Sequence, residues 1–466
     1  MFLGCADLGA PVSDYELLRQ RHATRLFELM PALFERLTWP VDRLRDGRQT
    51  ALHGLLRHAV AHSPWHRRRL DGLDVDQLAV ADLAALPSMT KHDLMDHFDE
   101  IVTDRRLTRD LVEAHLESLT TDAYLLDEYH VCASGGSSGR RGVFVYDFDG
   151  WACTFASYMR FTARVMQEVF CGEAPAMVMV AADKASHMTS AMAQTFPSSA
   201  AQVQRLPATW PMPRIVDSLN ALQPAVLLGY ASVVHQLVRE AVAGRLRIAP
   251  RMVATTSEPL LPEIRAAIAA VWPVPLLNGF GSTEGLMGGS CSAGCGIHLS
   301  DDLFIIEPVD ARGRAVAVGT PAAKVYVTSL YNLTQPLIRY ELTDEMTVLG
   351  GPCPCGITLL RIDDIQGRLD DNFQYPNGPS VHPFTYRSIL GREREIVEYQ
   401  VRQTPMGADI LVCAEGPVDT ARIAAAVREA LFAQGLADAA VTVSVVTALD
   451  RATTGKFRRF VPLAAH

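Results

Sequence analysis

Along residues 14–118 the apolar positions recur at helical spacing. Leu17, Leu18, Phe27, Leu33 and Phe34, then Leu55, Leu56 and Val60, predict amphipathic helices separated at Pro40 and Pro87. From about residue 128 to 366 the pattern changes. Short β-type runs at 176–180, 225–228 and 325–330 alternate with helical stretches at 233–242 and 262–271. That alternation predicts an α/β domain. A new pattern starts beyond Gly367-Arg368-Leu369-Asp370-Asp371-Asn372, where a loop carries Pro376, Gly378, Pro379 and Pro383. Strands are expected at 396–401 and 408–414, a helical stripe at Ile423, Val427, Ala430 and Leu431, and an alternating strand at 441–445. The expected organisation is a large domain over 1–366 with a helical N-terminal region, joined near residue 370 to a small mobile α+β domain over 367–466.

The chain has 466 residues, 48% hydrophobic and 20% charged, with a formal net charge of −9, an ordinary globular balance. The acidic sum argues against a dedicated nucleic-acid binder. No apolar run approaches the ~18 residues that would span a bilayer. The N-terminus lacks a basic segment followed by an apolar core. A cytoplasmic protein without a membrane partner is expected. Nine cysteines in so long a chain do not make a disulfide scaffold. Cys5, Cys132, Cys153, Cys171 and Cys413 are isolated, whereas Cys291/Cys295 and Cys353/Cys355 form two close pairs.

Four segments carry candidate chemistry. Ser134-Gly135-Gly136-Ser137-Ser138-Gly139-Arg140-Arg141-Gly142 combines backbone freedom, hydroxyl donors and arginine forks suited to phosphate oxygens. It leads into the strand-like run 143–146, so it is not a Walker loop, which opens a helix. Asn278-Gly279-Phe280-Gly281-Ser282-Thr283-Glu284-Gly285 follows the apolar run 274–277, as a loop at a buried strand end would. There Thr283 suits a phosphate and Glu284 suits Mg²⁺. Residues 336–344 end in Asp344, which can accept two hydrogen bonds from a ribose diol, as Arg368 could donate to one. Near the C-terminus Lys456 follows Gly455.

In this order and spacing the segments resemble the adenylate-forming superfamily of acyl-CoA synthetases, luciferases and adenylation domains, most of all its phenylacetate–CoA ligase branch. The resemblance covers nearly the whole chain. It implies phosphate binding by Ser134, Gly136, Ser137, Ser138, Gly139 and Arg140. Ser257, Glu258 and Pro259 would lie along the adenine, with Asn278, Gly279 and Phe280 nearby. Asp344 and Arg368 would hold the ribose, Asp370 would be the interdomain hinge, and Lys456 the adenylation lysine. An acyl pocket is expected around Tyr230, Ser232, Gly281, Met287 and His187. Two departures stand out: Arg140 and Arg141 replace the usual residue after the phosphate loop, and Glu341 replaces an arginine, placing negative charge beside the nucleotide.

Thiolates and imidazole suit Zn²⁺. By resemblance to branch members that hold a structural zinc, the expected ligands are Cys291, His298, Cys353 and Cys355, with Cys295 as alternate. The implied chemistry is ATP- and Mg²⁺-dependent activation of a carboxylic acid, aromatic by the habit of the branch, with pyrophosphate release and transfer to CoA. Two other readings remain open: an adenylating enzyme with an amine, carrier-protein thiol or nitrite-like acceptor, and a non-catalytic zinc-containing nucleotide-binding regulator. The oligomeric state is undetermined, with a homodimer among the expectations.

Overall fold

The computed structural model describes residues 13–134, 141–181, 186–196, 203–365, 367–368, 371–375, 378–393, 395–452 and 455–463, with only the backbone of Arg368. The expected phosphate-loop residues Gly136, Ser137, Ser138, Gly139 and Arg140, and the hinge candidate Asp370, lie outside the described residues.

The N-terminal region is helical, as its periodicity predicts: α1 (Asp14–Arg36), α2 (Val41–His62), α3 (Pro64–Arg69), α4 (Lys91–Asp96), α5 (Phe98–Ile101) and α6 (Arg109–Ser118). Ser13 starts α1 by accepting the Glu16 N–H at 3.3 Å, and Pro40 occupies the N-cap of α2. A hairpin follows, β1 (His130–Ala133) and β2 (Val143–Tyr146). Its mouth is closed by the Gly142 N–H donating to Ser134 Oγ at 2.8 Å.

Next come α7 (Phe148–Phe170), β3 (Met177–Ala181), α8 (Met188–Thr195), β4 (Val203–Pro207), α9 (Met212–Leu222), β5 (Val226–Gly229), α10 (Ala231–Val242), β6 (Met252–Thr256), α11 (Pro262–Val271) and β7 (Leu276–Gly281). Strands β4-β3-β5-β6-β7 are parallel neighbours in that order. One face of this sheet buries Val178, Val180, Leu227 and Val253 against Ile215, Leu219, Val234, Leu237 and Ile264 of α9, α10 and α11. The C-terminal half of α7 covers the other face through Val165 and Phe170, which cluster with Val226, Met252 and Leu277. At about 25 cal/mol per Å² of apolar area removed from water, such burial dominates the stability of both layers.

Antiparallel strands extend the sheet beyond β7: β8 (Met287–Ser290), β9 (Ile297–Leu299), β14 (Asp344–Leu349) and β15 (Arg361–Ile362), with β11 (Pro321–Ala322) at the edge. A separate sheet holds β10 (Phe304–Val309), β12 (Lys324–Ser329) and β13 (Tyr340–Leu342). The 278–285 loop expected from sequence is shorter than its residues suggest. Pairing of Gly279 with Gly289 and Gly281 with Met287 extends β7 through Gly281, so only a tight turn, closed by Ser282 N–H to Leu286 O at 3.0 Å, leaves the sheet. Asn278 to Gly281 are therefore strand residues.

Beyond β16 (Gly367–Arg368), which pairs with β14, the C-terminal segment carries β17 (Phe373–Gln374), β18 (Ser380–Val381), α12 (Phe384–Leu390), β19 (Ile396–Thr404), β20 (Gly407–Ala414), α13 (Thr420–Ala433), β21 (Ala440–Val445) and β22 (Phe460–Val461). Strands β21-β20-β19-β22 form its own sheet. Val401, Ile410, Val412, Ile423, Val427 and Leu431 form its own core, matching the stripe and alternation read from sequence.

Candidate active site

The C-terminal ends of β3, β5, β6 and β7 open into one cavity of about 1730 Å³, roofed in part by the C-terminal segment. Strand ends of an open parallel sheet collect unpaired backbone groups and loops, which is why ligand sites form there. Ser134, His187, Ser257, Glu258, Pro259, Asn278, Gly279, Phe280, Thr283, Glu284, Asp344 and Lys456 all line it. They come from six separate stretches of chain.

Each is held by local structure. Ser257, directly after β6, takes φ +66°, an uncommon conformation for a residue with a Cβ and one that clusters at functional sites. The β7–β8 turn presents Thr283 and Glu284, and the Thr283 carbonyl accepts Tyr146 OH at 2.6 Å. Asn278 is fixed by donating to Asp364 Oδ1 at 3.0 Å and by its N–H bonding Ser290 Oγ at 2.9 Å. Asp344 opens β14 with its Cα in register with Arg368, so the two ribose candidates are cross-strand neighbours. Glu341 also lines the cavity. Its negative charge is met by Lys324 Nζ at 2.5 Å, so the departure read from sequence is locally compensated.

Lys456 reaches this cavity on a loop from the C-terminal segment. Its Nζ lies 5.8 Å from the centroid of the Tyr230 ring. The preceding Gly455 takes φ +76°, and a Cβ there would sit 2.8 Å from Ala208 Cβ, so only glycine permits this approach. Glu258 bridges the two parts of the chain: Oε2 accepts the Ser232 N–H at 2.9 Å and Oε1 the Phe457 N–H at 2.8 Å. Beside it, Arg451 donates to Ser232 Oγ at 2.8 Å and to Glu398 Oε1 at 2.7 Å, while Gln236 reaches Glu398 Oε2 at 3.2 Å. His187 caps the start of α8, and its Nδ1 is buried with no hydrogen-bond partner among the described residues. Burial, then the Lys456 charge, pushes its pKa down to about 3, so its imidazole is neutral.

No family model matches the chain. It is 24% identical over 414 residues to the phenylacetate-coenzyme A ligase of Thermus thermophilus, covering 85% of this chain and 84% of that protein. Among solved structures it matches 2-hydroxyisobutyryl-CoA ligase in the postadenylation state in complex with R3-HIB-AMP, with TM-score 0.67, 19% identity, and 92% and 91% coverage of the two chains. The chain has the adenylate-forming fold. The same ligase in its thioesterification state superposes less well, at TM-score 0.55 with 20% identity and 92% and 91% coverage.

Within that fold most pocket expectations converge, and two take a different place. Tyr230 is fully buried in the core under Lys456 and is not among the cavity-lining residues, because its ring packs in the cluster of α9, α10 and α11. Ser232 lines the cavity, but its hydroxyl accepts Arg451 and its N–H serves Glu258. Gly281 and Met287 line the cavity as expected. Sequence reasoning missed Tyr158 and Phe155 of α7, Met179 and Leu228 of the sheet, and Arg451. Only the helical stripe of α7 signalled its residues, and the same stripe fits a buried core face.

Away from the cavity, Cys291, His298, Cys353 and Cys355 bring their donor atoms within 4.8 Å of one another. The Cys291 and Cys353 sulfurs are 3.6 Å apart, and Cys355 Sγ is 3.5 Å from His298 Nε2. His298 Nδ1 lies 3.1 Å from the Leu359 carbonyl, which orients the ring with Nε2 toward the sulfurs. Burial raises the Cys291 thiol, but hydrogen bonds led by His298 outweigh it and bring the pKa to about 6. Burial and the neighbouring sulfurs push Cys355 up to about 12. Three sulfurs and one imidazole nitrogen are a donor set that fits a closed tetrahedral Zn²⁺ site. Cys295 stands outside it, with Sγ 3.3 Å from the Ala293 carbonyl oxygen.

Proposed function

We propose that the protein is an ATP-dependent acid–CoA ligase that releases AMP and pyrophosphate and acts on a hydrophobic carboxylic acid. The observation that carries this reading is the entry of Lys456, from the C-terminal segment, into the cavity that Asp344, Thr283 and Glu284 line. A carboxylate is a poor electrophile because its leaving group would be oxide. In the first half-reaction a carboxylate oxygen attacks the α-phosphorus of ATP and the bond to pyrophosphate breaks. Negative charge rises on the α-phosphate, and a fixed ammonium stabilises it without reorganisation. Lys456 takes that role. Asp344, with Arg368 beside it in register, binds the ribose, and Ser257–Pro259 with Asn278–Phe280 flank the adenine. Thr283 donates toward phosphate.

Glu284, a buried carboxylate facing the cavity, would hold Mg²⁺, which neutralises phosphate charge when bound. Cys291, His298, Cys353 and Cys355 would hold a structural Zn²⁺. In the second half-reaction the CoA sulfur attacks the acyl carbon and AMP leaves. The contacts of Glu258 and Arg451 across the two segments are those that must release for the C-terminal segment to move about the Asp370 region. The Lys324–Glu341 pair supports CoA over another acceptor, since it neutralises the negative charge that Glu341 brings to the cavity.

The test is pyrophosphate release from ATP with a panel of acids, followed by mass spectrometry of the product with and without CoA. Acid-dependent pyrophosphate release with a CoA thioester as product is the expected result. Release without any CoA thioester would assign a different acceptor, and tight ATP binding without turnover would favour a regulator.

A further inference from the structure

The outer face of α10 meets the C-terminal segment. Val233, Val234, Leu237 and Val238 of that helix are buried in the core with residues of the sheet and the neighbouring helices. Ser232, Gln236 and Arg239 form a second stripe, at positions i, i+4 and i+7. Each of the three has a partner in the C-terminal segment. Ser232 Oγ accepts Arg451 at 2.8 Å, and Gln236 donates to Glu398 Oε2 at 3.2 Å. Arg239 pairs with Glu415, just past the end of β20. On the next helix, Glu263 of α11 lies 3.9 Å from Arg459.

The contacts are polar, and the two parts keep separate cores. Among the described residues, the buried apolar clusters of the large part go no further than Ile365, and that of the C-terminal segment runs from Phe373 to Phe460. An interface of polar contacts without a shared core can open and close, whereas the apolar seat of α10 on the sheet cannot.

The stripe is linked to the reacting centre. Arg451 and Glu398, both largely buried, are paired at 2.7 Å within the C-terminal segment, so they meet α10 as one unit. Arg451 Nη1 also reaches the Gly455 carbonyl at 3.4 Å. The Ala452 N–H donates to the Lys456 carbonyl at 2.9 Å and closes the loop that carries the lysine. A shift of Arg451 along α10 therefore shifts Lys456 over the sheet.

Resting on the ligase reading above, we propose that the Ser232–Gln236–Arg239 stripe of α10 is a reversible polar clasp for the C-terminal segment. Gln236, through Glu398 and Arg451, and Arg239, through Glu415, are then positioning residues for adenylate formation and not for transfer to CoA.

The experiment uses the full chain with benzoate, phenylacetate and octanoate as probe acids. Single-turnover pyrophosphate release at saturating ATP should fall about three- to tenfold in Arg239→Glu, where like charges then face each other. Gln236→Glu, which sets a carboxylate against Glu398, should do the same. The KM for ATP should move by less than about twofold. Capture of supplied acyl-adenylate by CoA should be unchanged or faster. The charge swap Arg239→Glu with Glu415→Arg should restore the rate, which a merely structural role would not allow.

Cys413, in register with Glu398 on β20, gives a readout independent of turnover. Maleimide labelling of Cys413, followed by peptide mass spectrometry, should quicken about threefold in Arg239→Glu and return to normal in the swap. The charge change alone would slow it, because a new carboxylate disfavours the thiolate. Failure of the swap to rescue, equal loss in both half-reactions, or unaltered labelling would overturn the proposal. Pyrophosphate release by the unaltered chain would leave the ligase reading standing in each of those cases. Release by the unaltered chain with none of the acids would remove the ligase reading, and the assignment to adenylate formation with it.

Discussion

Glu258 Oε1 accepts the Phe457 N–H at 2.8 Å, one residue beyond the lysine that enters the cavity. The other oxygen of the same carboxylate holds the first turn of α10 through Ser232 N–H at 2.9 Å. One side chain thus sets the height of the Lys456 loop over the sheet. Hydrogen bonds to a charged group are worth about 1.5–3 kcal/mol. Glu258→Ala should therefore slow pyrophosphate release about 10- to 100-fold. Capture of supplied acyl-adenylate by CoA should fall far less, because that step does not use Lys456. Glu258→Gln, which keeps one acceptor oxygen, should recover part of the loss. Equal damage to both half-reactions would refute this role.

Removal of the ammonium itself is the sharper version of the same test. Lys456→Ala should cost ~10²–10³ in the rate of adenylate formation, the usual loss for one preorganised charge-stabilising donor. Single-turnover pyrophosphate release with saturating acid measures it. Near-normal release would mean that another cation does the work.

Elemental analysis of protein purified without chelator should give about one zinc per chain, held by three sulfurs and His298 Nε2. The cluster packs against Leu37 and Leu44 at the start of the helical region, and the Thr358 N–H bonds the Leu37 carbonyl at 2.8 Å. Metal binding at such sites is worth on the order of 10 kcal/mol. Chelation or Cys291→Ser should lower the thermal midpoint and loosen α1 from the sheet, seen as faster amide exchange there. A chain free of zinc with an unchanged midpoint would reject the site.

Stability should fall on acidification below neutrality. Burial pushes the pKa of His22, His66 and His187 down to about 3 and that of His235 to about 4. Each folded-state value lies below the unfolded value near 6.5, so between them the unfolded chain binds the extra proton. Stability from these groups is complete above pH 6.5 and is lost as pH falls toward 3–4. The loss is about 1.4 kcal/mol per pH unit for each histidine. Urea midpoints at pH 7, 6 and 5 measure it, and a flat profile would show that the rings are solvated.

The helices of the N-terminal region, α11 and the C-terminal stripe of Ile423, Val427 and Leu431 were legible because each shows a single periodic face. The extent of β7 was not, because Asn278 to Gly281 look like a loop until β8 pairs with them. Tyr230 shows the same difficulty at the site: its ring turns into the core instead of the pocket.

The sequence by itself determined most element types, the α/β order, the segments that converge on the cavity and the cysteine–histidine set, since local periodicity and residue chemistry carry those. Only the tertiary structure decided which apolar faces line the cavity and which become core, and that Glu258 is spent on the Lys456 loop. Those outcomes depend on which chain-distant surfaces come within a few ångströms of one another. Apolar residues lining a cavity and apolar residues filling a core follow the same pattern until folding sets them apart.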